Sequence, residues 1–333
     1  MALIHHPYLG PVTLSETIRK KQQILRIDGL GCRWNPYLDY DRNEKPSLVT
    51  RLIIGGSAVF GVGASTDACT IAAQMTLLDG KSTCAIGERG LGSWEELHGF
   101  LARFKHFSPT ELIMLSGHND AFWASRYITA PSSLFGRQYL SGVVNSPFLA
   151  QYSLGFASMG TSRLRRIAAI LFSGFAKLDL LREAMLVREP INKWFSMKAK
   201  IERVDHNEEE LLAQLQASLF ATLAVWAGLS KLSTTRFKLF LQPSCSWIAS
   251  LTNSESQSFK GSANQKVFFV KAYNTIKETM EKCASQYGFE FLDLNPKYAE
   301  LGDWRNHFVD ECHLNDYGQK KLAELLVGKN VHL

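Results

Sequence analysis

A serine that directly follows a short apolar run is the first residue that could do chemistry. The run Leu52-Ile53-Ile54 leads into Gly55-Gly56-Ser57, and small neighbours let a carbonyl carbon approach the hydroxyl. A serine becomes a nucleophile only when a nearby base takes its proton. Because glycine-serine turns are common, Ser57 is a candidate that needs partners elsewhere in the chain.

The residues after this turn disfavour a phosphate-binding interpretation. A P-loop ends in Gly-Lys-Ser/Thr, and no lysine lies within residues 55–66. The stretch from Gly61 to Thr66 also lacks the third glycine of a dinucleotide fingerprint. We therefore interpret the turn as one that presents a serine.

A histidine far along the chain could supply the base. Asp310 lies three residues before His313, and a carboxylate bonded to Nδ1 fixes the tautomer in which Nε2 accepts a proton. Glu311 is the alternative carboxylate. Asn315 or Asp316 is expected to cap the helix that follows. Taken alone, this spacing is more often a histidine packed in a loop.

Two further turns offer donors of the kind that stabilise an oxyanion. Asn119 lies in the sequence GHND, which follows another apolar run, and its amide can donate to a developing negative oxygen. Gly90 lies in the loop GERGLG, where the backbone N–H groups are unobstructed. Gly92 is the alternative donor in that loop.

Together, the four segments resemble, in order, the four sequence blocks of the SGNH/GDSL hydrolases. The matching positions are Gly56-Ser57, Gly90, Gly117-x-Asn119-Asp120 and Asp310-x-x-His313. The resemblance covers about residues 50–120 and 285–328. It departs from the family at Gly56, where an aspartate is usual, and at Ala85, where the second block often has an asparagine.

The resemblance implies a role for each of these residues. Ser57 would be the nucleophile, His313 the base and Asp310 its orienting carboxylate. The backbone N–H groups of Ser57 and Gly90 and the side chain of Asn119 would form the oxyanion hole. The implied reaction is hydrolysis of a small acyl ester, for example an O-acetylated carbohydrate, through an acyl-serine, with no metal and no organic cofactor. The alternatives are an O-acyltransferase at the same site and a non-catalytic binding protein with the same fold.

The order of elements predicts a layered α/β fold. Strand patterns occur at residues 52–54, 82–86, 111–115, 237–241 and 289–292, and helical patterns at 66–78, 94–104, 272–287 and 319–327. Alternating strands and helices predict a parallel sheet with helices on both faces and ligand sites at the carboxyl ends of the strands. The resemblance implies the same architecture, a three-layer flavodoxin-like fold with a five-stranded parallel sheet.

Residues 121–235 interrupt this alternation between the third and fourth strands. They carry long helical patterns at 163–186 and 208–229, so we interpret them as a helical insertion. The insertion could cover the sheet or act as a lid over the substrate site. Residues 1–48 are expected to form an extension packed on a hydrolase domain of residues 49–333.

Composition and charge place the chain among ordinary globular proteins. Hydrophobic residues make up 46% of its 333 residues, and the net charge of +6 is not gathered into a basic run, which disfavours nucleic-acid binding. The six cysteines lack zinc-site spacing and are typical of free thiols in a reducing compartment. With no signal-peptide pattern and no run of about 18 apolar residues, we expect a cytoplasmic protein without an integral membrane segment. The oligomeric state stays open.

Overall fold

The structure is a computed structural model that describes residues 3–6, 10–13, 17–20, 23–87, 90, 92–103, 106–127, 207–232, 235–252, 254, 259 and 261–328. The helical pattern at 163–186 and most of the predicted insertion lie outside the described residues. Its last part is described, and there the predicted helix at 208–229 is confirmed as a helix over Glu208–Leu232.

Two β-hairpins open the chain, which the sequence analysis did not predict. Strand β1 (Leu3–His6) pairs antiparallel with β2 (Gly10–Thr13), and β3 (Thr17–Lys20) pairs antiparallel with β4 (Gln23–Arg26). The sequence predicts residues 1–48 only as an extension, because strands of four residues give little periodic signal.

A parallel sheet of five strands forms the centre of the fold and confirms the predicted architecture. Its strands are β5 (Arg51–Gly55), β6 (Thr83–Gly87), β7 (Glu111–Ser116), β8 (Arg236–Leu241) and β9 (Glu290–Asp293), in the spatial order β6-β5-β7-β8-β9. Every residue of β5, β6 and β7 is buried, as expected for parallel strands covered on both faces. Strand β5, the first of these five along the chain, therefore lies between β6 and β7.

Helices cover both faces of this sheet. Their bounds are α1 (Ser57–Phe60), α2 (Ile71–Asp79), α3 (Ser93–Arg103), α4 (His118–Tyr127), α5 (Glu208–Leu232), α6 (Cys245–Leu251), α7 (Ala263–Tyr287), α8 (Asn295–Ala299) and α9 (Asp316–Leu326). On one face, α2, α6, α8 and α9 share a core with Ile53, Ile113 and Leu115 of the sheet. On the other face, α3 and α7 pack against α5, and α7 also packs against α4.

Helix starts follow their capping residues and correct one prediction. The helical pattern at 66–78 predicted a helix from Thr66, but residues 67–69 form a 3₁₀ turn and α2 is capped by Thr70, whose Oγ1 accepts the N–H of Ala73 at 3.4 Å. The predicted cap of the closing helix is confirmed, because Asn315 Oδ1 accepts the N–H of Gly318 at 3.0 Å. Both caps satisfy a backbone donor that the first turn leaves unpaired.

Helix α5 corrects the expectation that no segment is apolar enough to cross a membrane. Over Glu208–Lys231 it has 24 residues, and its most apolar window has a mean hydropathy of 1.4. By length and composition alone, this helix is long and apolar enough to cross a membrane. Within the fold, Leu215, Leu219 and Leu223 recur every fourth residue and are buried, as in a helix with one face towards a core. That face packs against α3 and α7.

The segment that precedes β5 packs along strand β6 at the edge of the sheet. Arg33 forms an isolated antiparallel bridge with Ala85, and its guanidinium lies 2.5 Å from the carboxylate of Asp67. Asn35 Nδ2 donates to Thr76 Oγ1 at 2.9 Å and to the carbonyl oxygen of Thr83 at 2.8 Å. The division of the chain at residue 48 stays a prediction.

Candidate active site

Ser57 lies where the interior strand β5 ends and the short helix α1 begins. The two are joined by a turn that only glycine fits, because a Cβ on Gly55 would lie 2.3 Å from the carbonyl oxygen of Leu115 and 2.6 Å from Val59 Cγ2. Ser57 is 7% exposed. The close approach of β7 thus places the serine at the carboxyl edge of the sheet, where parallel α/β folds bind ligands.

The structure brings the three predicted catalytic residues into one hydrogen-bonded series. The distance from Ser57 Oγ to His313 Nε2 is 2.7 Å. On the other side of the ring, His313 Nδ1 lies 2.7 Å from Asp310 Oδ2 and 2.9 Å from Oδ1. In this arrangement the carboxylate favours the Nδ1–H tautomer, so that Nε2 faces the hydroxyl as an acceptor.

Asp310 is held in its orientation by its own loop, which we call the histidine loop (residues 307–316). Its Oδ1 also accepts the backbone N–H groups of Cys312 at 3.1 Å and His313 at 3.0 Å. Burial acts to raise the pKa of this carboxyl, but the hydrogen bonds and charge of His313 outweigh it and hold the pKa well below its usual range. The group is therefore an anion at neutral pH.

Glu311, the alternative carboxylate, points away from His313. Its Oε1 accepts the backbone N–H of Ser246 at 2.7 Å and the hydroxyl of Ser244 at 2.9 Å, while its carbonyl oxygen accepts the N–H of Cys245 at 2.9 Å. Burial raises the pKa of Glu311. The residue thus fastens the histidine loop to the turn between β8 and α6, a positioning role that the sequence spacing did not reveal.

A second set of contacts fastens the serine side of the site to the histidine loop. Asp316 accepts the N–H of Ser65 at 2.6 Å and its hydroxyl at 2.5 Å. Gly63, with φ of +98°, lies so close to Leu314 that a Cβ would be 2.3 Å from the Leu314 carbonyl oxygen. From the sequence alone, Asp316 is expected only as one of two possible caps of the helix that follows. These contacts hold together two segments more than 240 residues apart.

Strand order places all three predicted oxyanion donors at the same edge. Ser57 follows β5, Gly90 follows its neighbour β6, and Asn119 lies in the first turn of α4 after its other neighbour β7. The loop that contains Gly90 is fixed to α4, because Trp123 Nε1 donates to the carbonyl oxygen of Gly90 at 2.9 Å. The three groups therefore follow three neighbouring strands of the sheet, β6, β5 and β7.

A hydrogen bond of Gly92 bears on which of the two glycines, Gly90 or Gly92, could donate to the oxyanion. The backbone N–H of Gly92 donates to Glu95 Oε2 at 3.2 Å. A donor that already serves a carboxylate is not free for a substrate oxygen, which favours Gly90 as the oxyanion donor.

Three carboxyl groups, which we call the acid cluster (Glu95, Glu96 and Asp120), connect the starts of α3 and α4. Asp120 Oδ1 accepts the backbone N–H of Ser93 at 3.1 Å and its hydroxyl at 2.9 Å. Burial raises the pKa of Glu95 to about 7 and that of Asp120 to about 6, and together with the charge of Asp120 it raises the pKa of Glu96 well above its usual value. The segment that carries Gly90 and the first turn of α4, which carries Asn119, are thus joined by carboxyl groups that can take up a proton.

Two side chains next to predicted site residues are buried in apolar surroundings. His118 is 4% exposed, and its ring packs between Phe122 and Phe269. Burial, followed by the charge of His313, lowers the pKa of His118 to about 3, which keeps the ring neutral. Burial also raises the pKa of the Cys312 thiol well above its usual value, which disfavours it as a nucleophile.

Comparisons with known proteins give matches in structure only. No family model matches the sequence, and no curated protein matches it. An extracellular lipase from Streptomyces rimosus matches 85% of this chain and 100% of its own with 12% identity and a TM-score of 0.42. A GDSL-like lipase from Bacteroides thetaiotaomicron matches 85% of this chain and 89% of its own with 13% identity and a TM-score of 0.40. An acetyl xylan esterase, AlAXEase, matches 84% of this chain and 99% of its own with 12% identity and a TM-score of 0.39.

Proposed function

We propose that this chain is a serine esterase of the SGNH/GDSL type that hydrolyses a small acyl ester. The observation that carries the proposal is the series from the Ser57 hydroxyl through the His313 ring to the Asp310 carboxylate, with distances of 2.7 Å and 2.7 Å. Serine and histidine are 256 residues apart. Their alignment therefore depends on the whole sheet and on the contacts that fasten the histidine loop.

In the first half of the reaction, the ester acylates the serine. His313 Nε2 takes the hydroxyl proton as Ser57 Oγ bonds to the carbonyl carbon. The imidazolium that forms is stabilised by the ionised Asp310. As the tetrahedral intermediate collapses, the bond to the leaving alcohol breaks and Nε2 gives its proton to that oxygen.

Three donors would hold the negative oxygen of the intermediate. They are the backbone N–H groups of Ser57 and Gly90 and the side-chain amide of Asn119, at the ends of three adjacent strands. In comparable sites, removal of one such donor costs about 3 kcal/mol of transition-state stabilisation.

In the second half, water releases the acid. His313 removes a proton from the water as it attacks the acyl carbon, and then returns that proton to Ser57 Oγ as the acyl–serine bond breaks. If an acceptor hydroxyl replaced the water, the same steps would transfer the acyl group. Product analysis with and without an acceptor alcohol separates the two reactions.

The proposal is tested with a fluorophosphonate probe and the Ser57→Ala variant. We expect the probe to label the wild-type chain at Ser57 and not to label the variant. Turnover of aryl acetates and O-acetylated sugars should fall by about 10⁶-fold, as in other serine hydrolases that lose their nucleophile. Ser47→Ala is the control, since Ser47 is exposed and lies outside the site. Undiminished labelling of Ser57→Ala would refute the assignment, and a wild-type chain without labelling or turnover would favour a binding protein.

A further inference from the structure

Three side chains of the kind that bind metals meet in the interior, beside the sheet edge formed by β6. Asp28 and Cys32 come from the turn after β4, and Cys84 comes from β6 itself. They are 0%, 0% and 1% exposed, respectively. One carboxylate oxygen and the two sulfur atoms all lie within 4.8 Å of one another. We call these three residues the buried trio.

The turn that carries two of the trio is held by its own hydrogen bonds. Asp28 Oδ1 accepts the backbone N–H groups of Leu30 and Cys32, each at 2.9 Å. The N–H of Asp28 donates to the carbonyl oxygen of Cys32 at 2.9 Å. The bridge between Arg33 and Ala85 then fixes this turn beside Cys84. The trio is therefore held in place by the hydrogen bonds of this turn and by the Arg33–Ala85 bridge.

The trio leaves one polar atom without a partner. Asp28 Oδ2 is buried and has no hydrogen-bond partner among the residues that the structure describes. A buried oxygen without a partner is costly. Burial raises the pKa of Asp28 to about 6, and a hydrogen bond to Cys84 followed by burial raises the pKa of the Cys32 thiol well above its usual value. A cation among the three groups would give the free oxygen a partner.

We infer that Asp28, Cys32 and Cys84 bind one zinc ion, which fastens the segment before β5 to the edge of the sheet. Zinc prefers a tetrahedral set of sulfur, nitrogen and oxygen ligands with bonds of about 2.0–2.3 Å, so its ligand atoms lie about 3.5 Å apart. From the present separations, side-chain movements of about 1 Å reach that geometry. The fourth position is left for a water molecule.

The charge around the trio suits a bound dication. When zinc binds, the two thiols and the carboxyl lose their protons to solvent and become anions. The three negative charges and the zinc then sum to one negative charge. Arg103 lies beside this turn, because its Nε donates to the carbonyl oxygen of Leu30 at 2.9 Å, and its positive charge acts on Asp28. The guanidinium would neutralise the remaining charge.

The test measures metal binding in the full-length chain without reference to ester hydrolysis. After removal of metals with a chelator, the wild type is titrated with Cd²⁺, and the thiolate-to-metal absorption band is followed in the ultraviolet. We expect the band to saturate at one ion per chain, and one zinc per chain in native mass spectra after addition of Zn²⁺. Saturating zinc should raise Tm by about 5–10 °C.

Matched variants locate the site. Cys32→Ser, Cys84→Ser and Asp28→Asn should each weaken binding at least tenfold and remove most of the zinc-dependent rise in Tm. Cys312→Ser is the control, because Asp310, Cys312 and His313 are another group whose ligand atoms lie within 4.8 Å of one another. It should keep the full stoichiometry. A cadmium band that survives in Cys32→Ser and Cys84→Ser but is lost in Cys312→Ser would overturn the inference.

Measurements on the wild type keep the inference falsifiable if the trio variants do not fold. Absence of a cadmium band, or a Tm that zinc does not change, would overturn it. So would an intact mass, without reductant, that is lower by two hydrogens and a mapped bond between Cys32 and Cys84, since a disulfide removes both sulfur ligands.

Discussion

Asp310 and the acid cluster, which both lie beside the candidate active site, have pKa values that are shifted in opposite directions. In the histidine loop, Asp310 faces the His313 ring and two backbone N–H groups, and its pKa is held well below the usual range despite burial. In the acid cluster burial is the largest cause, and the pKa of each carboxyl is raised although Asp120 accepts the N–H and the hydroxyl of Ser93. The comparison shows that the hydrogen bonds and charge of a histidine ring can outweigh burial, whereas the two donors of Ser93 do not.

The difference assigns the two groups different tasks. An ionised carboxylate can orient an imidazole and stabilise its positive charge, which Asp310 is placed to do. A buried carboxyl whose pKa is raised well above its usual value, as that of Glu96 is, can keep its proton and reduces repulsion between the starts of α3 and α4. Loss of the charge should therefore impair chemistry at the first group, whereas at the second it should improve stability at alkaline pH.

The largest loss of kcat among these predictions is expected for Asp310→Asn. The amide keeps an oxygen for the backbone donors, but its NH₂ group cannot accept from Nδ1 and favours the wrong tautomer of His313. We expect kcat for aryl acetate hydrolysis to fall about 10⁴-fold, with little change in folding. Steady-state kinetics and circular dichroism provide the measurement.

A control for this change lies in the same region. Asp303 also pairs with a histidine, as its Oδ1 lies 3.1 Å from His307 Nε2, but this pair does not include Ser57. Asp303→Asn should leave kcat within about twofold of wild type. An Asp310→Asn variant with wild-type kcat would remove Asp310 from the mechanism and with it the contrast between the two carboxyl groups.

A smaller loss of kcat is expected when Glu311 is replaced. Glu311 holds the histidine loop without touching the reacting atoms. Glu311→Ala removes the acceptor for Ser246 N–H and the Ser244 hydroxyl, so His313 should be less well aligned. Because each hydrogen bond to a charged group is worth roughly 1.5–3 kcal/mol, we expect a ten- to hundredfold loss in kcat with KM nearly unchanged. Glu311→Gln retains an acceptor oxygen and should recover most of the activity.

This prediction fails if the glutamine and alanine variants lose activity equally, since the acceptor oxygen would then not matter. Ser244→Ala provides an intermediate case. It removes the contact of 2.9 Å and keeps the one of 2.7 Å to the Ser246 N–H, so its loss should be less than that of Glu311→Ala. The ranking of the three variants by kcat is the measurement.

The sequence predicted the parts of the molecule that depend on local pattern. The five sheet strands were visible as apolar runs, and Ser57, Asn119 and the histidine loop followed from turn residues at strand ends and from the Asp310–His313 spacing. Parallel pairing then brings such ends together at one edge. The division of the chain at residue 48 and the insertion lid stay predictions.

What the sequence did not reveal depends on contacts between distant segments. The contact of Glu311 with Ser246 spans 65 positions of the chain, and the contact of Asp316 with Ser65 spans 251 positions. Hydrophobic periodicity reflects residues that are close in sequence and does not indicate such contacts. The buried trio is a further case, because Cys84 lies far along the chain from Asp28 and Cys32 and outside any short metal-binding motif. The pKa values of the acid cluster also depend on burial, which only the fold defines.

The smallest expected effect is a change in the pH dependence of stability in Glu96→Gln. Glu96 is 3% exposed and its pKa is raised, first by burial and then by the charge of Asp120. The folded chain thus holds a proton that the unfolded chain releases above pH about 4.3, so the free energy of unfolding should fall as pH rises from there towards the folded pKa. Glutamine cannot ionise and should remove this loss.

We therefore expect Tm of Glu96→Gln to exceed that of wild type by about 2–6 °C at pH 8, with a much smaller difference at pH 5. Thermal unfolding followed by circular dichroism across this range is the measurement, with exposed Glu300→Gln as control. For Asp310 the pH dependence of stability has the opposite sign. Its pKa is lowered in the folded chain, so it contributes stability that is present above its ordinary pKa and is lost as pH falls towards the folded value. A Glu96→Gln difference that grows towards acid pH would mean that Glu96 is charged in the folded state, and the contrast between the two carboxyl groups would then be wrong.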